Sequence, residues 1–312
     1  MLHLIIDTDT AGDDAAALLL ALKNQDVKVD AVTINCGNVS FDQEVENALY
    51  TVEFAGKGNQ VPVYAGCRTP ILKNWTTVEE VHGKDGMGNA NFPKASKAVE
   101  KVHAIDAIVD TINDNPGEMT IVELAPMTNL ALAIRKDPSI VKKIKHIYFM
   151  GGTHNYPGNV TPSAEFNTWV DPDAASIVLG SGIPMTMVGW DITMKYGLLG
   201  KDDIDQIRLM GTANSKFFLQ ISSAEKAYLQ KSTGLEGITC PDSITMAIAI
   251  DGSIATRTIP RYVKVDDRDG PFRGAISVDD YNIMLKDANV NVVYEADTAK
   301  FKKLLFDTLN GS

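Results

Sequence analysis

Asp7-Thr8-Asp9-Thr10-Ala11-Gly12-Asp13-Asp14 sets four carboxylates within eight residues. Carboxylates this crowded repel one another unless a proton or a cation relieves them. Hard oxygen donors with no Cys or His cluster beside them select Ca²⁺ or Mg²⁺. A helix N-terminus favours acids by about 0.3–1 kcal/mol each, which accounts for Asp13 or Asp14 taken singly but not for the whole string. An EF-hand is excluded. With Asp7 at its first position Gly12 falls correctly at the sixth, but Leu18 stands where the bidentate Glu belongs.

The elements that must hold this string read as an alternation of short apolar runs and amphipathic stretches. Leu2 to Ile6, Val29 to Ile34, Pro62 to Tyr64, Met119 to Leu124, His146 to Met150 and Pro184 to Val188 are the strand candidates. Helical patterns lie between them, at Asp13 to Lys23, Phe41 to Phe54, Ala104 to Ile112, Asn129 to Ile134 and Asp171 to Leu179. The predicted class is α/β: an open, mostly parallel sheet with helices on both faces, Rossmann-like. The acidic string then lies at the C-terminal end of the first strand, the edge where such sheets bind ligands. After about residue 200 the alternation weakens into two helical stretches, a helix over Asp242 to Ile250, and strand-like segments near Ile259 to Val265 and Val290 to Val293. No linker interrupts residues 1–312, so one domain is expected. Two long irregular stretches, Cys67 to Lys101 and Gly151 to Asn167, have the length of functional loops.

Composition narrows the partners. A chain of 312 residues, 45% hydrophobic, buries roughly 75% of its unfolded surface and needs no disulfide or metal staple to fold. Its 29 Lys and Arg against 40 Asp and Glu give a net charge of −11, which repels phosphate backbones and anionic lipid. Neither nucleic acid nor membrane is an expected partner. No run approaches the roughly 20 apolar residues of a membrane span, and Met1 to Asp7 lacks the features of a signal peptide. Cys36, Cys67 and Cys240 are an odd, scattered set that fits a reducing compartment, so a cytoplasmic location is expected.

Leu4 to Thr10 resembles the first motif of haloacid dehalogenase-like phosphatases, with Asp7 as nucleophile, Asp9 as acid and Mg²⁺ between them; Asp266-Asp267 or Asp279-Asp280 would complete the metal site. That leaves Asp13, Asp14 and the Asn-rich loops without a task. The longer string Asp7 to Leu18 closely resembles the N-terminal signature of the nucleoside hydrolases, which cleave the N-glycosidic bond of ribonucleosides. Further blocks follow in the family's order: Asn35-Cys36-Gly37-Asn38, His82-Gly83-Lys84-Asp85-Gly86, Ala125 to Ala131, Met150-Gly151-Gly152, Gly158 to Pro162 with Ala164 to Asn167, and Pro241-Asp242.

The resemblance implies that Asp9, Asp14, Asp242 and the carbonyl of Leu124 hold one Ca²⁺. Asp9 would also be the base that deprotonates the attacking water, and Asp7 would orient the site. Ribose recognition falls to Asp13, Asn38, Asn159, Glu165 and Asn167, whose amides and carboxylates match hydroxyls that both donate and accept. Attack through an oxocarbenium-like transition state implies inversion.

The best-known members carry a His just before the last metal-binding Asp, and here that position is Pro241. Cys240 resembles a subgroup with Cys nearby, and is either the acid that assists the leaving base or a packed residue at a helix start. His82 is a further candidate acid, as are His154 and Tyr228. Trp190 and Trp75 are candidate base-stacking surfaces or core residues. A catalytically weak Ca²⁺-dependent nucleoside-binding protein is the reading Pro241 favours. The family also implies a homo-oligomer, a dimer or tetramer, and a role in nucleoside salvage.

Overall fold

The computed structural model describes residues 1–311. Its strands are β1 (Leu2–Thr8), β2 (Val27–Ile34), β3 (Val63–Ala65), β4 (Met119–Glu123), β5 (His146–Met150), β6 (Met185–Val188), β7 (Leu198–Leu199), β8 (Ile238–Thr239), β9 (Ala255–Arg261), β10 (Val263–Val265), β11 (Ile276–Val278) and β12 (Val290–Ala296). Eight of them form one sheet in the order β3-β2-β1-β4-β5-β6-β12-β9. Every neighbour pair in it is parallel except β12 with β9. The order reverses between β1 and β4, and a crevice opens at such a switch point beyond the carboxyl ends of the strands.

The period-two alternation of a strand places its side chains on two cores. Leu4 and Ile6 of β1, Val32 and Ile34 of β2 and Val122 of β4 face one core; Ile5, Ala31 and Ile121 face the other. Helices Gly12–Lys23, Phe41–Phe54, Pro241–Ile250 and Thr298–Asn310 cover the first face. Ala104–Asp114, Thr128–Lys136 and Pro172–Leu179 cover the second. Helix Gly12–Lys23 is buried almost all round, its Ala-rich surface packed against β2 and against its neighbour Pro241–Ile250, which itself lies on the sheet. Gly12 permits the close approach of helix Ala213–Ile221, since a Cβ there would stand 2.6 Å from the Ile221 carbonyl oxygen.

The C-terminal third departs from expectation. Three helices, Lys201–Met210, Ala213–Ile221 and Ser223–Thr233, stand where two are predicted. The single strand expected over Ile259 to Val265 breaks at Tyr262: β9 joins the main sheet as its edge, where Pro260 is tolerated, while β10 pairs with β11 in a separate hairpin. The two-residue pair β7 and β8, too short for any periodicity to reveal, fixes the entry to helix Pro241–Ile250. Among the described residues no helix is long and apolar enough to cross a membrane, and all three cysteines are free.

Candidate active site

The turn after β1 carries the acidic string onto helix Gly12–Lys23. Asp7, wholly buried near the end of β1, receives Thr33 Oγ1 at 2.5 Å, Asn129 Nδ2 at 2.8 Å and Asn35 Nδ2 at 3.3 Å. Burial raises its pKa and these bonds pull it back. Its register partner on β4, Glu123, is pushed well above the carboxylate range by burial and by Asp7. Asp7 is thus fixed by Thr33 of β2, by Asn35 just past it and by Asn129.

Beyond it the carboxylates converge. Thr8 Oγ1 donates to Asp14 Oδ1 at 2.6 Å and the Ala11 amide to Asp14 Oδ2 at 2.9 Å. Asp242 occupies the first turn of helix Pro241–Ile250, beside the first turn that holds Asp13 and Asp14. Carboxylate oxygens of Asp13, Asp14 and Asp242 lie within 4.8 Å of one another, an arrangement that can hold a metal ion. Asp9 stands outside that trio, turned toward the β2 loop. The Asn38 amide reaches Asp9 Oδ2 at 3.2 Å, and Asn38 Nδ2 bonds the Asp9 carbonyl and Asp14 Oδ2. A Cβ on Gly37 would sit 1.8 Å from Asp9 Oδ2, so only glycine lets this loop close over the acid.

The electrostatics ask for a cation. Burial first, then Asp14, Glu44 and Asp13, drive the Asp9 carboxyl well above its usual range. Asp242 is driven up by burial, then by Asp14, Asp13, Asp9 and Glu165. Burial and Asp13 raise Asp14 to about 7. Asp9 Oδ1 and Asp13 Oδ1 are buried with no hydrogen-bond partner. Orphaned hard oxygens in a crowd of buried acids are what a divalent cation satisfies, and the donor set fits one.

The residues predicted to bind ribose divide. Asn38 and Asp13 stand at the cluster. Glu165 is buried and caps helix Phe166–Val170, receiving the amides of Asn167 and Gly152 at 2.8 Å each; burial raises it to about 7. Asn167 Nδ2 donates to the Leu124 carbonyl at 2.9 Å and to that of Met150 at 3.2 Å. The carbonyl predicted as a metal ligand is therefore braced by a predicted ribose residue, with one lone pair left. Asn159 is exposed, its Oδ1 taken by the Phe166 amide at 2.8 Å.

Of the candidates for the leaving base, His82 is buried at the end of the short helix Glu79–His82, its Nδ1 3.6 Å from Asp13 Oδ1. Cys240 is buried beside it, and burial pushes its thiol well above the ordinary range. His154 is engaged elsewhere, with Asp280 at 2.8 Å. Trp75 Nε1 donates to the Gly37 carbonyl at 3.2 Å, which brings the first long loop to the Asp9 turn. Trp190 is half-buried at the start of helix Trp190–Tyr196 and packs on the core. Glu44, Glu123 and Glu225 stand out in no sequence pattern, because an acid inside an ordinary helix or strand carries no mark of burial, and Asn129 is marked only as a member of the Ala125 to Ala131 block.

The family model described as inosine-uridine preferring nucleoside hydrolase matches residues 4–303. The chain belongs to the nucleoside hydrolase family. This nucleoside hydrolase is 32% identical over 308 residues to the pyrimidine-specific ribonucleoside hydrolase RihB of Escherichia coli, covering 99% of its own length and 97% of the relative's. It superposes on a plant nucleoside hydrolase with a TM-score of 0.93 at 32% identity, covering 99% of each chain. It superposes on a purine-preferring ribonucleoside hydrolase of Gardnerella vaginalis with a TM-score of 0.90 at 30% identity, covering 99% of this chain and 98% of that one. The late acidic pairs that the phosphatase alternative calls on lie in other contacts: Asp266 with Arg268, and Asp280 with Arg261 and His154.

Proposed function

We propose that this nucleoside hydrolase cleaves the N-glycosidic bond of ribonucleosides in a Ca²⁺-dependent reaction, releasing ribose and free base. The observation that carries the reading is the convergence of buried, unrelieved carboxylates at the switch point of the sheet, inside a chain that matches the family along nearly its whole length. Asp14 and Asp242, with Asp9 beside them and the Leu124 carbonyl, would hold the cation. When bound, Ca²⁺ keeps these carboxylates ionised and lowers the pKa of the water to be activated. Asp9 Oδ1, which has no hydrogen-bond partner, takes that water's proton. Asp13, Asn38, Glu165 and Asn167 orient the ribose, while Asn159 positions the Glu165 turn through the Phe166 amide. Attack on the anomeric carbon from the face opposite the base gives inversion.

The name of RihB specifies pyrimidine and that of the Gardnerella enzyme purine, so the substrate class proposed is the ribonucleoside, with Trp75 and Trp190 as candidate surfaces for either base. A cytoplasmic role in nucleoside salvage agrees with three free cysteines. A homodimer or tetramer is supported by the exposed apolar side chains of Tyr281, Ile283 and Leu285. The deciding experiment incubates purified protein with uridine, inosine and a phosphate ester, before and after chelation. Free ribose that disappears with the metal is the expected result. Free phosphate instead, or ribose release indifferent to exhaustive chelation, would overturn the proposal.

A further inference from the structure

A small cavity lies beside Asp13, where the first helix meets the elements that cover it. Its polar lining is Asp13, His82, Glu225, Thr239, Cys240 and Ser243. Asp13 Oδ1 and Ser243 Oγ are buried there without hydrogen-bond partners, so the space suits a small guest that hydrogen-bonds. Glu225 enters from helix Ser223–Thr233, with its carboxyl end turned inward. Its Oε1 receives the Thr239 amide at 3.0 Å and Thr239 Oγ1 at 2.5 Å. That grip fixes one oxygen and leaves Oε2 to carry a proton. Burial, with Asp13 as the one facing charge that adds to it, raises the carboxyl to about 8, so it stays protonated at neutral pH. The other titratable groups facing it are His82, set against Asp13, and Cys240, whose thiol burial makes a poorer acid.

We propose that Glu225 is the acid that protonates the departing base, doing the work that Pro241 cannot. The inference rests on the hydrolase reading above. As the bond between base nitrogen and anomeric carbon breaks, its electron pair stays with the base, and the Glu225 Oε2 proton passes to a base nitrogen or oxygen. The water oxygen bonds to the anomeric carbon and gives its proton to Asp9. Neutral base and ribose leave, Glu225 is left anionic and Asp9 protonated, and solvent restores both.

Glu225→Gln keeps an acceptor for Thr239 and removes the proton. On uridine and inosine kcat/KM should fall by roughly 10²- to 10⁴-fold, with the change on p-nitrophenyl riboside, whose nitrophenolate leaves without protonation, held to about threefold. Thr239→Val supplies a second readout. The lost hydrogen bond favours the carboxylate, so the alkaline limb of kcat/KM for uridine should move to higher pH. Equal losses of Glu225→Gln on both substrate types, no loss on either, or an unmoved alkaline limb in Thr239→Val would overturn the assignment; if Glu225→Gln fails to fold, the limb decides. A wild-type protein that cleaves no riboside would sink the hydrolase reading itself, whereas a wild type that cleaves both types beside an unselective Glu225→Gln sinks only Glu225.

Discussion

Asp9 is held by the backbone and side-chain amides of Asn38, and one of its oxygens has no hydrogen-bond partner. Such an atom costs free energy in the free protein unless a cation or proton reaches it. Asp9→Asn keeps an oxygen at that place and removes the base, so turnover should drop roughly 10²- to 10⁴-fold while ribose still binds. Steady-state kcat alongside equilibrium binding of ribose checks this, and wild-type turnover with the metal bound would remove Asp9 from the role. At this scale the sequence reveals which residue types gather but not how each is spent. Asn38 touches two of the acids, whereas Asn159, of the same type and loop setting, is exposed and serves a backbone amide. Asn129 was visible only as part of a motif, yet it joins Asp7, the Ile34 carbonyl and the Cys67 amide. With the Ile34 carbonyl and the Cys67 amide each losing a partner and Asp7 losing one of its donors, Asn129→Ala should lower unfolding free energy by about 1–3 kcal/mol, measured by urea denaturation.

At the scale of elements, the site exists because two helices begin side by side at the end of β1. Asp13 and Asp14 open one and Asp242 the other. The strands were legible because a central parallel strand is a continuous apolar run, and the acidic string was placed correctly once β1 was found. The β7–β8 pair, the third helix after residue 200 and the break at Tyr262 were not legible. Two- and three-residue strands carry no period, and only tertiary pairing separates β9 from β10. The loop after β2 shows how closely an element constrains the chemistry. Gly37→Ala would drive its Cβ into Asp9 Oδ2 and Cγ. A displacement of about 1 Å at a reacting group can cost about 10²-fold, and a loss of that order in kcat/KM is expected. Melting should change little by comparison, because the side chain that yields lies at the site and not in the core. A variant with unchanged kcat/KM would show that Asp9 tolerates the shift.

The whole molecule carries a net charge of −11, and part of it is gathered where Asp9, Asp13, Asp14, Asp242, Glu44 and Glu165 influence one another. Asp14 and Glu165 rise to about 7 in the folded chain from ordinary values of 3.8 and 4.5. Between about pH 4 and 7 the folded state therefore binds more protons than the unfolded state, and stability falls as pH rises by up to about 1.4 kcal/mol per unit for each group. A cation acts in the opposite sense. Its ligands must be ionised, so its stabilisation grows through the same window. Chelated protein should thus melt at a lower temperature near pH 7.5 than near pH 5.5, and excess Ca²⁺ should raise the melting temperature more at the higher pH, by about 2–4 °C for each 1 kcal/mol at this size. Calorimetry at the two pH values, with and without Ca²⁺, reads both slopes. A chelated protein that melts no lower at the higher pH, or an equal Ca²⁺ increment at both, would mean that these carboxylates do not couple protons, cation and folding.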